Sequence, residues 1–407
     1  MLTISSSRKM RDLGPTYPTR RKFDREHSRV TKKRRGASET VGQTADDSHP
    51  YNTTRHNATT GTFGSVVQAE TADTKEQVAI KLITLGDRFY PKYVEREILN
   101  HRQLVHPHIV SFKEVFLTRS HLAIVMEFVG GGTLQGWVEK HGRVPEWQAR
   151  CFFQQLVLAL HYSHKSLGIS HRDIKLGNIL LNDKYQVPIL KLCDFGYSKD
   201  YSPVGSLPKT RVGTAAYISP EVAGASAGNA SYDSEKADVW SSAVTLYCML
   251  AGRYPFMNGN RAPDLYQIKT LKDKQVDAAL DVLSEYGVSN DCKALLKHTL
   301  RVAPNKRYGL DQIMENPWYR EYLPDLSKMV SRKTEYDQSD EEVRLVLSQA
   351  ERLSRKIIET GSALDEFDDE MAAEVADELL GSGGDFSFIR RHGRSKDADD
   401  MTIEHQQ

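Results

Sequence analysis

Three side chains with oxygen ligands stand at the ends of apolar runs in the middle of the chain. Asp173 and Asn178 lie in H-R-D-I-K-L-G-N, and Asp194 lies in L-C-D-F-G. The apolar runs Ile179–Leu181 and Ile189–Cys193 predict two strands joined by a short polar turn, which would bring the three side chains to one end of a hairpin. A carboxylate there can orient a hydroxyl nucleophile and accept its proton, and the other oxygens suit Mg²⁺. The pattern is typical of phosphoryl transfer.

The competing explanation for these residues is purely structural, because Asp and Asn also collect in turns between strands. Lys175 lies within the same segment and could offset charge on a transferred group. The joint pattern H-R-D-x-K-x-x-N followed by D-F-G is far more specific than any single residue in it. We therefore favour the catalytic interpretation.

A second segment, closer to the N-terminus, could hold a polyphosphate. Gly61 and Gly64 flank a tight turn between predicted strands, where backbone N–H groups can approach phosphates without interference from a Cβ atom. Lys81 follows in V-A-I-K, and a lysine inside an apolar strand needs a charged partner or a ligand. Glu97, on a helix predicted over Tyr93–Leu104, is the expected partner.

Composition indicates a large folded region with two charged ends. The 407 residues are 39% hydrophobic, and the length allows two or three domain-sized units. Residues 1–40 carry twelve Lys and Arg against four acidic residues, whereas residues 365–385 carry nine Asp and Glu with no Lys or Arg. Both ends have few large apolar side chains, so we predict that they are largely disordered.

Cysteine usage and targeting signals bear on the cellular compartment. The four cysteines are widely spaced in apolar runs, which indicates buried thiols in a reducing compartment. No apolar run approaches the ~18 residues that a membrane span needs. The basic clusters Arg20–Lys22 and Lys32–Arg35 resemble a two-part nuclear import signal. We expect a protein of the cytoplasm, the nucleus or both, with an organelle transit peptide as the minor alternative.

The patterns between the two ends divide the chain into parts. Strand-like runs come first, Gly130–Gly132 offers a hinge, and helical spacing dominates beyond it. We predict a basic leader over 1–49, a small lobe over 50–129, a large lobe over 130–320, a regulatory amphipathic helix over 336–360 and an acidic tail over 361–407. The amphipathic helix has one apolar stripe, which must dock either on the main body, as we favour, or on a partner.

The joint pattern resembles the eukaryotic serine/threonine protein kinases over about residues 58–320. V-A-I-K, H-R-D-I-K-L-G-N, D-F-G, D-V-W, and S-P-E in place of the usual A-P-E carry the resemblance. N-H-R at 100–102, C-D-F-G-Y-S-K at 193–199 and Q-S-D-E-E at 338–342 are most similar to the plant and green-algal sucrose-non-fermenting-related kinases of the osmotic-stress subfamily. The resemblance implies an α+β, bilobal kinase fold with a small antiparallel β-sheet lobe and a larger, mainly helical lobe.

The resemblance also implies roles for matching positions, with ATP and Mg²⁺ as cofactors and proteins as substrates. Catalysis would fall to Asp173, Lys175 and Asn178, and metal binding to Asn178 and Asp194. The implied ATP-binding positions are Gly61, Gly64, Val66, Ala79, Lys81, Glu97, Met126, Glu127, Val129 and Leu180. The implied structural and regulatory positions are Arg172, Thr214, Glu221, Asp238 and Arg307. A phosphate on Thr210, or secondarily on Ser206, would supply about two negative charges and order the loop after Asp194.

One departure from the family pattern leaves a second interpretation open. Thr59 stands where the first glycine of G-x-G-x-x-G is expected, and the residues around it lack an apolar strand pattern, so the first strand is doubtful. A damaged glycine loop would suit a pseudokinase scaffold that acts through its C-terminal helix and acidic tail. The complete set of Lys81, Glu97, Asp194 and the catalytic loop favours an active kinase, and the resemblance implies a role in stress or nutrient signalling. A regulatory phosphatase and an upstream kinase are further implied partners, and no specific nucleic-acid binding is expected.

Overall fold

The structure, a computed structural model, describes residues 51–53, 59–61, 64–71, 74–87, 89–182, 188–195, 215–225, 232–323 and 338–360. The predicted leader over 1–49 and the predicted acidic tail over 361–407 lie outside these ranges, as does most of the loop that follows Asp194.

A six-stranded antiparallel sheet forms the small lobe. Its strands are β1 (Tyr51–Thr53), β2 (Thr59–Gly61), β3 (Gly64–Thr71), β4 (Gln77–Thr84), β5 (Phe112–Leu117) and β6 (His121–Glu127). The order across the sheet is β1-β3-β4-β6-β5, and β2 also pairs with β3. Alternation along β4 buries Val78 and Ile80 and leaves Ala79 and Lys81 on the opposite face.

The first strand, which the sequence leaves in doubt, is present in two parts. Strands β1 and β2 both pair antiparallel with β3, with Thr59 opposite Val66 and Gly61 opposite Gly64. A β-branched residue suits an extended strand position, so threonine at 59 is compatible with this hairpin. Pairing with β3 therefore supplies a strand that the local pattern does not predict.

Helix α1 (Pro91–Gln103) connects β4 to β5 and carries Glu97. The sequence predicts its start at Tyr93, but the helix begins at Pro91. Proline is favoured in the first helical turn, where its missing N–H needs no partner. Val94 and Ile98 are buried on its inner side, so the lobe core fixes the position of Glu97.

The large lobe is mainly helical. Its α-helices are α2 (Leu134–His141), α3 (Glu146–His161), α4 (Pro220–Gly224), α5 (Ser234–Ala251), α6 (Leu265–Lys269), α7 (Asp273–Glu285), α8 (Asn290–Thr299), α9 (Leu310–Glu315) and α10 (Pro317–Arg320). The predicted hairpin is present as β7 (Ile179–Asn182) and β8 (Ile189–Leu192), which pair antiparallel. The α+β, bilobal fold predicted from the sequence is confirmed.

Helix α5 is the centre of the large-lobe core. Every residue from Ala237 to Ala251 is buried, as expected for a helix that other elements surround. The Asp233 side chain caps its first turn by accepting the Lys236 N–H, and Gly252 ends it in the left-handed conformation, with φ at 67°. The Asp233 cap therefore fixes the first turn of α5, and other elements of the lobe surround the rest of the helix.

A further helix, α11 (Asp340–Thr360), packs on the small lobe and so docks on the main body, as the sequence favours. Its buried stripe consists of Val343, Leu347, Ala350 and Leu353. This stripe shares one apolar cluster with Val94 and Ile98 of α1 and with Phe112 and Val115 of β5. The apolar stripe is therefore part of the core that holds α1.

Polar contacts fix both ends of this docking. The Gln338 side chain accepts the Val115 N–H at 3.0 Å and donates to the Val115 carbonyl at 2.9 Å. Near the other end, the Ser354 hydroxyl accepts the Gly86 N–H at 2.8 Å and donates to the Gly86 carbonyl at 3.1 Å. Arg102, at the end of α1, lies 3.1 Å from Asp340, at the start of α11. The two helices are therefore antiparallel.

All four cysteines lie within the described residues. None of the four cysteines is in a disulfide; Cys248 and Cys292 are buried, whereas Cys151 and Cys193 are half-buried. No helix within the described ranges is both long and apolar enough to cross a bilayer.

Candidate active site

Three predicted site residues, Asp173, Lys175 and Asn178, meet in the loop that leads into β7. Lys175 Nζ lies 2.5 Å from Asp173 Oδ2. Asn178 Nδ2 donates to the Asp173 carbonyl oxygen at 2.8 Å and to Asp173 Oδ2 at 2.9 Å. A short 3₁₀ turn, Leu176–Asn178, folds the loop back into β7 and so permits these contacts. Because its amide nitrogen is engaged, Asn178 keeps its Oδ1 atom for another ligand.

The environment of Asp173 suits a proton acceptor. Burial raises the pKa of its carboxyl group above the ordinary value, and the positive charge of Lys175 partly offsets that rise. A carboxylate with a raised pKa is a stronger base, which favours accepting a proton from a hydroxyl group.

Lys81 joins the small lobe to Asp194. Its ammonium group forms an ion pair with Glu97 Oε1 and lies 3.5 Å from Asp194 Oδ1. Burial alone would lower the pKa of Lys81, but the two carboxylates outweigh burial and raise it. Burial would likewise raise the pKa of Asp194, but Lys81 outweighs it and the pKa is lowered. Lys81 is therefore charged and Asp194 ionised at neutral pH.

One face of the small-lobe sheet adjoins this lysine. In the register, Val66 of β3 lies opposite Lys81, and Ala79 lies opposite Met126 of β6. Residues directly opposite each other, and residues two apart on one strand, share a face. Val66, Ala79, Lys81 and Met126 therefore share one face of the sheet.

The other predicted ATP-binding positions flank that face. Glu127 ends β6, and buried Val129 follows in the segment that leads to the large lobe. Leu180, on β7, forms an isolated bridge with Thr133. Gly61 and Gly64 pair with each other at the end of the β2–β3 hairpin.

Asp238 of α5 holds the backbone that precedes Asp173. Its carboxylate accepts the N–H groups of His171 and Arg172, both at 2.7 Å, and contacts His164 Nε2 at 2.8 Å. Burial would raise the pKa of Asp238, but these hydrogen bonds, led by that of His164, lower it. Arg172 and Asp194 both have left-handed backbone conformations, with φ of 69° and 66°. Such strain in residues with a Cβ persists only where the surroundings impose it.

Glu221 and Arg307 form a buried, two-point ion pair. The Glu221 carboxylate accepts hydrogen bonds from both terminal nitrogens of Arg307, at 2.7 and 2.9 Å. The Arg307 side chain is 0% exposed. This pair fixes the start of α4, which directly follows the segment Ala215–Ser219.

Three predicted regulatory positions, Ser206, Thr210 and Thr214, lie outside the described residues. The segment resumes at Ala215 and runs into α4.

Comparison with known proteins identifies the family of this chain. Residues 55–319, more than half of the chain, match the family described as protein kinase domain. The chain belongs to the protein kinase family.

The relatives of this kinase define its branch. The serine/threonine-protein kinase SRK2G of Arabidopsis thaliana is 46% identical over 265 residues, which cover 65% of this kinase and 72% of the relative. SRK2A of Physcomitrium patens is 40% identical over 316 residues, covering 76% and 86%. SAPK3 of Oryza sativa subsp. japonica is 40% identical over 299 residues, covering 74% and 85%. This is a serine/threonine kinase, and these comparisons give no support to the pseudokinase alternative.

A solved structure shows the same fold. The crystal structure of Rad53 1–466 in complex with AMP-PNP superposes with a TM-score of 0.54 at 29% sequence identity, covering 66% of this kinase and 65% of that chain.

Sequence reasoning missed the side-chain contacts of Glu127. Lys191 Nζ, on β8, lies 2.8 Å from Glu127 Oε2, and the Ser111 N–H donates to the same oxygen at 3.2 Å. The lone lysine in the apolar strand I-L-K-L is the signal that could have found this pair, by the argument that identifies Lys81.

Ser219 replaces the usual alanine before Pro220 and is buried. It is 1% exposed, and its hydroxyl oxygen has no hydrogen-bond partner among the described residues. A buried hydroxyl without a partner costs about 1–3 kcal/mol. We expect Ser219→Ala to raise the free energy of unfolding by about 1 kcal/mol, measured from the midpoint of urea denaturation.

Ser241 provides the matched control for this prediction. Its hydroxyl is also buried but donates to the Tyr217 carbonyl at 2.8 Å and contacts the Ala237 carbonyl at 3.1 Å. Ser241→Ala should therefore lower the midpoint. A Ser219→Ala protein that is less stable than wild type would contradict the assignment.

Proposed function

We propose that this kinase transfers the γ-phosphoryl group of ATP to serine and threonine hydroxyl groups of protein substrates, with Mg²⁺ as the metal ion. One observation carries the proposal. At the junction of the lobes, Lys81 contacts Asp194, while Asp173 contacts Lys175 and Asn178. The complex of the relative Rad53 with AMP-PNP supports the use of an adenine nucleotide.

The acceptor hydroxyl group would bind at Asp173. Its carboxylate can accept a hydrogen bond from the hydroxyl group, orient the oxygen for attack and take the proton as the new P–O bond forms. Lys175, 2.5 Å from the same carboxylate, is close enough to offset negative charge on the transferred group. Asp238, through the backbone of His171 and Arg172, would keep Asp173 in position.

The nucleotide would bind along the small-lobe face that includes Lys81. Its ammonium group, held by Glu97, would contact the phosphates. Val66, Ala79 and Met126 share that face and would pack against the adenine ring, with Leu180 on its other side. The backbone of Glu127 and Val129 would bind the edge of the ring. The Gly61–Gly64 hairpin would cover the phosphates with backbone N–H groups.

The residues present fit Mg²⁺. Asn178 Oδ1 and the Asp194 carboxylate are hard oxygen ligands of the kind that Mg²⁺ prefers. Within the described residues no group of three or more His, Cys, Asp or Glu could hold a metal ion by itself, which agrees with a metal ion that takes its other ligands from phosphate and water. When bound, Mg²⁺ would neutralise charge on the phosphates.

Label transfer with and without metal tests the proposal. We expect the kinase to transfer ³²P from γ-labelled ATP to Ser and Thr of a protein substrate in Mg²⁺, and to lose that transfer when the metal is chelated. Heat-inactivated kinase serves as the blank. Label that appears equally in excess chelator would exclude the metal role, and label that never exceeds the blank would exclude the transferase.

We extend the proposal to activation by phosphorylation and to a role in stress signalling. A phosphate on Thr210, or secondarily on Ser206, would supply negative charge to the loop that ends at Ala215. The similarity to plant kinases supports the stress role. We expect kinase recovered from osmotically stressed cells to lose most of its activity when Thr210 is replaced by alanine. Equal activity of Thr210→Ala and wild type would remove Thr210 from the proposal.

Cellular location and partners complete the proposal. The basic clusters near the N-terminus support a kinase of the cytoplasm and nucleus, which imaging of a tagged protein would test.

The acidic residues beyond α11 support a basic partner surface, such as that of a regulatory phosphatase. Loss of phosphatase capture on deletion of residues 361–407 is the expected result.

A further inference from the structure

The first two turns of α5 contact three different parts of the active region. Asp238 holds the backbone before Asp173, as described above. The Ser241 hydroxyl donates to the Tyr217 carbonyl at 2.8 Å. Lys236 contacts Arg307, the partner of Glu221. The first two contacts act directly on site elements, whereas the third acts through the buried ion pair.

Lys236 and Arg307 are joined in both directions. The Lys236 ammonium group donates to the Arg307 carbonyl at 2.7 Å, and an Arg307 terminal nitrogen donates to the Lys236 carbonyl at 2.7 Å. Arg307 also donates to the Arg301 and Val302 carbonyls, at 3.0 and 3.3 Å. The Lys236 side chain therefore holds the backbone of Arg307, whereas the main-chain carbonyl of residue 236 holds one guanidinium nitrogen.

Two cations are held close together in this arrangement. Burial lowers the pKa of Lys236, Asp233 partly offsets that effect, and the positive charge of Arg307 lowers it further. An uncharged residue at 236 would avoid both costs. The hydrogen bond from the Lys236 ammonium group to the Arg307 carbonyl is the contact that a lysine provides and an apolar residue does not.

The ion pair that Lys236 supports borders the place where a protein substrate must bind. Glu221 follows the segment Ala215–Pro220, in which Tyr217 belongs to the same buried cluster as Leu176. The backbone of Leu176 lies close enough to the Tyr217 hydroxyl group to offset part of the burial that raises its pKa. Leu176 lies between Lys175 and Asn178 in the catalytic loop. A polypeptide that presents a hydroxyl group to Asp173 therefore passes next to this segment, whereas the nucleotide face lies in the other lobe.

We propose that Lys236 is a positioning residue for protein-substrate binding, which acts by fixing Arg307 and, through the Arg307–Glu221 pair, the segment 215–221. This inference rests on the proposed transfer to protein hydroxyl groups. It assigns Lys236 to the substrate side of the reaction and not to ATP binding.

A second lysine nearby gives a matched control. Lys165 and Lys236 line the same cavity of about 320 Å³, together with Glu235, Val239 and residues 309–312. Lys165 pairs with Glu235 at 3.2 Å and lies 3.9 Å from Asp311. Lys165 is part of the same charged cavity, and its ion pairs with Glu235 and Asp311 do not involve Glu221. Methionine is unbranched, as lysine is, and removes only the charged group at either position.

The test is steady-state kinetics of Lys236→Met, Lys165→Met and Lys236→Arg with a protein substrate. For Lys236→Met we expect KM for the protein substrate to rise about tenfold, as loss of a hydrogen bond from a charged group predicts. KM for ATP and kcat should stay within about twofold of wild type. Lys165→Met should match wild type, and Lys236→Arg, which keeps a cationic donor, should recover most of the loss.

Hydrogen exchange of the amides in 215–223 provides a readout that is independent of activity. Exchange there should be faster in Lys236→Met than in wild type or Lys165→Met. An unchanged protein KM in Lys236→Met, an equal rise in Lys165→Met, or a parallel change in both KM values and kcat would each overturn the inference. Wild-type kinase that transfers no phosphate would instead defeat the proposed function, so the two failures are distinguishable.

Discussion

Replacing Asp194 by alanine should lower kcat for phosphate transfer by about 10³-fold or more. The change removes a proposed metal ligand and a carboxylate that lies 3.5 Å from Lys81. Metal-ion stabilisation of transition-state charge is worth several kcal/mol, and each ~1.4 kcal/mol is a factor of ten in rate. The measurement is initial-rate label transfer at saturating ATP and Mg²⁺.

The exposed aspartate Asp281, on α7, supplies the control for this change. Asp281→Ala alters the charge of the protein by the same amount at a distant surface position and should leave kcat unchanged. Thermal unfolding of the Asp194→Ala protein must remain cooperative, so that the loss reflects chemistry and not folding. Activity within tenfold of wild type would rule out Asp194 as a ligand of the catalytic metal.

The second large effect concerns stability. Leu353 of α11 is 1% exposed within the cluster that includes Val94, Ile98 and Phe112. Truncation of a buried leucine to alanine removes apolar burial and leaves a cavity, at a cost of about 2–5 kcal/mol. We expect Leu353→Ala to lower the unfolding free energy by that amount, measured by urea denaturation.

The same change should lower activity, because α1 carries Glu97 and packs against α11. Glu97 holds Lys81, and the His101 ring of α1 stacks on Phe195 at 6.4 Å, next to Asp194. A loosened α1 would therefore disturb both contacts of Lys81. Arg352→Ala, on the exposed side of α11, is the control and should be neutral. Stability that is equal in the two variants would show that the stripe contributes little to the core.

Much of the site follows from local sequence patterns. Lys81 stands out because an apolar strand rarely includes a charge, and the hairpin that brings Asp173, Asn178 and Asp194 together follows from two apolar runs and a polar turn. The docking of α11 on the main body follows from an apolar stripe that needs a partner surface. In each case the information lies within one or two elements.

The remaining contacts join residues that are far apart in the chain and have no local pattern. The bond between Lys236 and Arg307 spans 71 positions, and that between Lys191 and Glu127 spans 64. The sequence leaves the first strand in doubt for a related reason, because tertiary pairing and not local pattern forms it. Its own sequence is a poor strand, but the register with β3 gives it a partner, and pairing overrides propensity. Such features depend on tertiary structure, which periodicity does not encode.

The antiparallel docking of α11 also affects how the chain can fold during synthesis. Ser354 bonds to Gly86 across 268 positions, and Gln338 bonds to Val115 across 223. Domains form as units, N-terminal first, while the ribosome is still adding residues. Part of the apolar surface of the small lobe therefore stays uncovered until α11 emerges from the ribosome. The core of the small lobe closes only after the large lobe has been translated, because α11 follows the large lobe in the chain. The surroundings of the Lys81–Glu97 pair are therefore completed only after Asp173 and Asp194 have been made.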